Sequence, residues 1–265
     1  MHQLAARKET HAVILYVVRH GQPIGHGGGP STPNPGLTPT GQRQAEQVAQ
    51  QLEAWGIDYL YSSSQARAIE TALPVHRRLA VPWAIWAPAC ETDRRNWPKN
   101  AGLPPEERAA ARTVREDDHL YYRPLSELAK EYGASVEQPI AWPDHWWPPL
   151  RLETQDEAYA RGRSVLSALM KRHRTEDRVA LVCHGAFGSV LLSLLCECPP
   201  AFHNRFSHTH AGITRVDIDE KGAVSLRFLN YVEHLSGEGL ITETVDPVLP
   251  RFPRPDESGE RKESS

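Results

Sequence analysis

Cysteine is scarce in this chain: four residues among 265. Cys90, Cys183, Cys196 and Cys198 are too few and too irregularly spaced for a disulfide framework. Cys196 and Cys198 form a C-x-C pair, and two ligands do not close a zinc site. Ordinary reduced thiols follow, which suits a reducing compartment. No apolar run approaches the roughly 18 residues of a membrane span, and residues 1–11 are charged rather than apolar. Neither a secretory signal nor a membrane anchor is therefore expected, and the default is a soluble cytoplasmic protein. Charge of one sign is missing too: 30 Lys and Arg face 33 Asp and Glu, a net of −3. Nothing in that balance points to nucleic acid or an anionic membrane as a partner, although local basic clusters can still hold a small anion. No internal repeat is visible, and self-association stays open.

What is present is length and ordinary patterning, with 40% hydrophobic and 24% charged residues, enough for a sizeable core. Residues 13–18 form an unbroken, β-branched-rich apolar run, the pattern of a strand buried on both faces. It stops at Arg19-His20-Gly21, and a Gly/Pro-rich loop follows over 22–36. Thr38-Pro39 reads as an N-cap with proline at the first helical position. Ala45, Val48, Ala49, Leu52 and Trp55 then recur at three- and four-residue spacing, one apolar stripe. A short strand over 57–61 ends in Ser62-Ser63-Ser64, and a helix from near Gln65 carries Arg67, Ala68 and Thr71.

A strand over 83–87 leads to Cys90-Glu91-Thr92-Asp93. From 94 to 152 prolines, charges and tryptophans (Trp97, Trp142, Trp146, Trp147) mix, with a helical patch over 105–115. This segment reads as an insertion rather than sheet, and as a lid. Thr154-Gln155-Asp156-Glu157 fits a capping box opening a helix to about His173. Residues 179–183 repeat the first strand's pattern and end at His184-Gly185, before a buried helix over 186–195. Residues 213–217 and 225–230 flank Glu220-Lys221-Gly222 as a hairpin. Residues 250–265, rich in proline and charge, read as a disordered tail, leaving one domain over 1–249.

Strands alternating with helices give an α/β fold, a mainly parallel sheet with helices on both faces plus the inserted lid. Such sheets bind ligands at the carboxyl ends of their strands. There the sequence places Arg19 and His20, Arg67, Glu91 and His184. Transfer of a phosphoryl group needs a nucleophile, cations around the equatorial oxygens and an acid for the leaving alkoxide. Neutral imidazole is a competent nucleophile near pH 7, arginine forks clamp phosphate oxygens, and a protonated carboxyl can supply the departing proton. The five groups match that inventory.

Val17-Val18-Arg19-His20-Gly21-Gln22 resembles the signature of the histidine phosphatase, or phosphoglycerate-mutase-like, superfamily. Leu37-Thr38-Pro39-Thr40-Gly41-Gln42-Arg43-Gln44-Ala45 is similar to the stretch opening that family's first helix. Ser63-Ser64-Gln65-Ala66-Arg67-Ala68 with Thr71-Ala72, Val182-Cys183-His184-Gly185, Gly212-Ile213-Thr214-Arg215 and Asn230-Tyr231-Val232-Glu233-His234-Leu235 resemble its later motifs, in order. The resemblance implies His20 as the phosphorylated nucleophile, Arg19, Arg67 and His184 as the phosphate pocket, and Glu91 as general acid and then base. It also implies that Gly21, Gln22, His26, Gly185 and Ala186 face a small phosphorylated substrate, the latter two through backbone amides. No metal and no cofactor is implied. A metal-independent phosphatase is the expectation, with mutase-type phosphotransfer or a silent phosphate-binding protein of the same fold as alternatives.

The loop after Gln22 departs from the family: His26-Gly27-Gly28-Gly29-Pro30 and Asn34-Pro35-Gly36 stand where many members carry Asn and a Gly-x-x-Asp step. The Trp-containing loop typical of the cofactor-dependent mutases is missing as well. His26 and its glycines also resemble the oxyanion loop of α/β-hydrolases, but no Gly-x-Ser-x-Gly elbow occurs. His208 and His210 have the spacing of metal ligands on a strand without an evident carboxylate, so they read as surface or loop histidines.

Overall fold

A computed structural model describes residues 12–92, 122–142, 144, 153–200, 205–236 and 239–243. Six strands form one sheet in the order β3-β2-β4-β1-β5-β6. β1 is Ala12–Arg19, β2 Tyr59–Ser62, β3 Trp83–Ile85, β4 Arg178–Cys183, β5 Ile213–Asp219 and β6 Val224–Tyr231. The first four run parallel, while the β5–β6 hairpin runs antiparallel beside β1. The helices are α1 (Pro39–Trp55), α2 (Ala66–Leu79), α3 (Leu125–Tyr132), α4 (Gln155–Arg172) and α5 (Gly185–Leu195). None of the described helices is long and apolar enough to cross a membrane.

The apolar run of β1 is unbroken because both faces of the sheet are covered. Tyr16 and Val18 pack with Val48 and Leu52 of α1 and Ala72 and Val75 of α2. Val13, Leu15 and Val17 point the other way, to Leu169 of α4 and Phe187 and Leu191 of α5. Each such side chain, taken from water to nearly complete burial, contributes roughly 1.5–3 kcal/mol. The helix starts follow their sequence signals. The Thr38 hydroxyl accepts from the Gly41 amide with Pro39 in the first turn, and Thr154 and Glu157 close a reciprocal capping box.

Three expectations need correction. The 57–61 strand starts two residues later, at Tyr59, and runs to Ser62. The 83–87 strand stops at Ile85, because Pro88, which cannot donate to a ladder, enters a 3-10 turn over Ala87–Ala89. The insertion is also not free of sheet. Ser135 donates to the Trp83 carbonyl and accepts from the Ile85 amide, both at 2.8 Å, so it extends the sheet past β3. An edge strand offers unpaired backbone groups, and this bridge satisfies some of them. Tyr122, Leu125, Leu128 and Ala134 are buried in the same core as α1 and α2, with Trp142 packed against it. The helical patch over 105–115, Trp97, Trp146, Trp147 and the 250–265 tail lie outside the described residues.

Candidate active site

The sheet places the site at the ends of β1 and β4. These strands are adjacent, with Arg19 paired to Cys183, yet the chain leaves β1 toward α1 on one face and β4 toward α5 on the other. The crevice that opens between two such exits is where α/β sheets bind ligands. His20 and His184 are the first residues past the two strand ends, and their ring centroids are 5.1 Å apart. Both are buried, at 4% and 1% exposure. The His20 amide donates to the Cys183 carbonyl at 3.0 Å, tying the two ends together.

His20 is held in one tautomer. Its Nδ1 lies 2.7 Å from the Gly21 carbonyl, which can only accept, so Nδ1 carries the proton. Nε2 is left with a lone pair, directed at Arg67, whose Nε donates to it at 3.0 Å. Burial first, then the positive charges of Arg67 and Arg19 and the neighbouring His184, hold the His20 pKa well below its ordinary 6.5. His184 is lowered in the same way by burial, Arg67, Arg161 and Arg19. Its Nε2 shares a 2.8 Å hydrogen bond with the Ser63 hydroxyl just past β2, while its buried Nδ1 has no partner among the described residues.

Arg19 reaches across the end of β5. Its Nη1 donates to the His208 carbonyl at 2.6 Å and to Glu243, and its Nη2 to His210 Nε2 at 3.0 Å. The buried Nε has no partner among the described residues. An added Cβ on Gly185 would lie 3.3 Å from that Nε, so the bare glycine leaves room for the guanidinium. Among the described residues no acceptor bonds the terminal nitrogens of Arg67. The terminal nitrogens of Arg67, Arg19 Nε, His184 Nδ1 and the His20 Nε2 lone pair therefore border the crevice.

Glu91 follows the 3-10 turn after β3. Its Oε1 accepts from the Phe187 and Thr92 amides, each at 2.9 Å, and its Oε2 from the Ala186 amide at 3.3 Å. The carboxylate thus lies at the positive N-terminal end of α5. It is also the strongest charge supporting the cationic form of Arg67.

The expected site is otherwise distributed differently. The Ala186 amide faces Glu91 instead of being left for a ligand, because a carboxylate reaches the helix N-terminus first. Gln22 is a structural tie: its amide donates to Gln44 at 2.7 Å, and its side-chain oxygen accepts from the Thr38 hydroxyl at 2.8 Å. Gly21 is a close-approach position, since a Cβ there would lie 2.6 Å from the Gly41 carbonyl oxygen. Gly21→Ala is expected to destabilise the fold by roughly 1–3 kcal/mol through that backbone clash. Gly29→Ala, with nothing within 4 Å, should leave the denaturation midpoint unchanged.

His26 does reach the site from the exposed loop, its ring edge-on to His210 at 4.7 Å. His208 and His210 are not surface residues. His208 is buried against the Thr214 hydroxyl at 2.6 Å, and His210 is buried 5.8 Å from His20, centroid to centroid. The carboxylate that the sequence did not reveal is Glu243, 3.4 Å from His210 and 3.8 Å from His26. His26, His210 and Glu243 bring ligand atoms within 4.8 Å of one another. Arg19 already donates to two of the three, so a metal ion there would face a guanidinium at contact distance, a poor fit. Ser63 and Gln44, both within the stretches that resemble the family, also serve the site, and Thr242 does so without a sequence signal.

An α/β sheet that gathers two neutral imidazoles, two guanidiniums and a carboxylate at its strand ends has the donor set of a phosphate-binding site. The histidine phosphatase superfamily (branch 1) model matches residues 15–123 and 116–231. The chain belongs to that superfamily. Its fold is similar to that of YhfR from Bacillus stearothermophilus, with TM-score 0.59 and 19% identity over 84% of this chain and 100% of that one. It is also similar to an Entamoeba histolytica phosphoserine phosphatase mutant in complex with phosphoserine (TM-score 0.55, 22% identity, 84% and 99% covered). A mycobacterial glucosyl-3-phosphoglycerate phosphatase in complex with VO3 gives TM-score 0.57 and 21% identity, with 83% and 99% covered. At these identities the likeness concerns the fold. No curated protein matches the chain in sequence.

Proposed function

We propose that this protein hydrolyses small phosphate monoesters without a metal, in two steps through a phosphohistidine on His20. The observation that carries the reading is the His20 Nε2 lone pair, which accepts from Arg67 Nε and lies in a crevice where, among the described residues, Arg19 Nε and His184 Nδ1 have no partner, so that an incoming phosphoryl group would take over Arg67 and free the lone pair. In the first step Nε2 bonds to phosphorus as the P–O ester bond breaks. The departing alkoxide takes a proton from Glu91, whose Oε2 has the longer amide contact and is the freer oxygen. Arg19, Arg67 and His184 donate to the phosphoryl oxygens as charge moves onto them. In the second step Glu91 takes a proton from water, whose oxygen bonds to phosphorus as the P–N bond breaks. Inorganic phosphate leaves and the enzyme is restored.

Phosphatase activity of two structural relatives, the phosphoserine and glucosyl-3-phosphoglycerate phosphatases, supports a small phosphorylated substrate. The insertion over 94–152 acts in this reading as a cover for the substrate. In support, the Tyr122 hydroxyl donates to the Pro33 carbonyl at 2.7 Å, joining the insertion to the loop after His20. The four free thiols suit work in the cytoplasm.

Turnover of p-nitrophenyl phosphate should be unchanged by excess chelator. A quenched reaction should hold protein-bound phosphate that is labile in acid and stable in alkali, as an N–P bond is. Loss of turnover on chelation, or a phosphoenzyme that survives acid, contradicts the two-step histidine route. Release of the phosphoryl group to water rather than to a second substrate hydroxyl distinguishes hydrolysis from mutase chemistry.

A further inference from the structure

Residues 239–243 lie directly against the site. Leu240 is fully buried in the core beside α1, and its carbonyl accepts from the Gln44 side chain at 2.6 Å. The Thr242 hydroxyl lies 3.3 Å from the same Gln44 nitrogen and 3.2 Å from His210 Nδ1. These ties aim Glu243 inward, where its Oε2 accepts from Arg19 Nη1 at 2.5 Å and its Oε1 faces Nη2 at 3.4 Å. The pair is largely shielded, with side-chain exposures of 19% and 23%. Arg19 Nε faces the phosphate crevice while both Nη groups are taken by protein acceptors.

Charge decides what this contact does. His20, His184 and His210 are neutral at pH 7, and Glu91 holds the proton it gives up in the proposed chemistry, so the charges left around the crevice are Arg19 and Arg67 against Glu243. Two cations then face one anion, and that anion is paired with Arg19 and offsets half of the positive charge available to hold a dianion. Glu91 is needed for proton transfer in the proposed chemistry. Glu243 is not, and it bears on the guanidinium of Arg19, the last residue of β1.

We propose that Glu243 is the site's internal counter-ion and sets its affinity for phosphate, because an incoming oxyanion must share Arg19 with this carboxylate or displace it. The proposal rests on the phosphatase reading above. It makes the 239–243 segment a determinant of how tightly the enzyme holds its substrate and its product.

The test is inhibition of p-nitrophenyl phosphate turnover by inorganic phosphate at fixed ionic strength. Glu243→Gln keeps the shape and one acceptor, and should lower the Ki for phosphate on the order of tenfold, since a like charge is removed from beside the anion. Glu243→Asp withdraws the carboxylate by one methylene and should fall between. Glu53→Gln makes the same charge change on the exposed far part of α1, beside Arg78, and should leave Ki unchanged. A Ki at or above the wild-type value in either Glu243 variant overturns the proposal; a rise would make the carboxylate a clamp that orients Arg19. Normal wild-type turnover with an unaltered Ki in the variants leaves the phosphatase reading standing alone. A wild-type chain that neither turns over nor binds phosphate removes both.

Discussion

His20→Ala should lower kcat by about a thousandfold or more while leaving phosphate affinity within roughly tenfold of wild type. The split follows from what the imidazole touches. In the proposed chemistry its Nε2 supplies the pair of electrons that bonds phosphorus, and neither of the other imidazoles beside it among the described residues is placed to substitute. His184 Nε2 is engaged with Ser63, and His210 Nε2 accepts from Arg19. In that chemistry the donors that bind the anion are on other residues. Removing the ring also releases the Arg67 Nε that now donates to it, which adds a donor for phosphate. The measurement is steady-state turnover together with a phosphate binding isotherm on the same folded sample. Residual activity above about a tenth of wild type would mean that some other atom is the nucleophile.

The second large effect concerns acid stability. His208 and His234 are pulled down to about 4 and His210 to about 2, each mainly by burial, while His20 and His184 lie well below 6.5. In the unfolded chain each titrates near 6.5. Below that value the unfolded state takes up protons that the folded state does not, so stability is full above about pH 6.5 and falls as the pH drops. The fall continues through the folded pKa values. For the fully buried His208 alone the loss at pH 5 is about 2 kcal/mol, and several histidines act together. A typical domain holds only about 5–15 kcal/mol. Denaturant midpoints should therefore drop steeply between pH 7 and pH 5, and a flat profile there would contradict the neutral assignments. Because His20 stays neutral in this window, kcat/KM of the remaining folded enzyme should show no inflection at 6.5, where an ordinary imidazole protonates.

Most of the scaffold was legible from periodicity. The continuous apolar run of β1, the stripe Ala45, Val48, Ala49 and Leu52, the Thr154 capping box and the hairpin around Glu220 are signals carried within a few residues. The elements misread were those whose fate depends on neighbours. Ser135 became sheet because β3 was otherwise an edge, and α3 formed where its Leu125 and Leu128 could reach the core under α1 and α2.

The site divides along the same line. By itself the sequence determined which reactive side chains follow the strands: Arg19 and His20, Glu91, His184, with Arg67 opening the next helix. Strand ends share one edge of a parallel sheet, so local pattern is enough to gather them. Only the tertiary structure decided what each group is bonded to. Arg19 meets a carboxylate 224 positions away, His184 a hydroxyl 121 positions away, and Glu91 claims the amides at the start of α5. Hydrogen bonds act over about 3 Å in space and are indifferent to separation along the chain. No spacing encodes them until the core has closed.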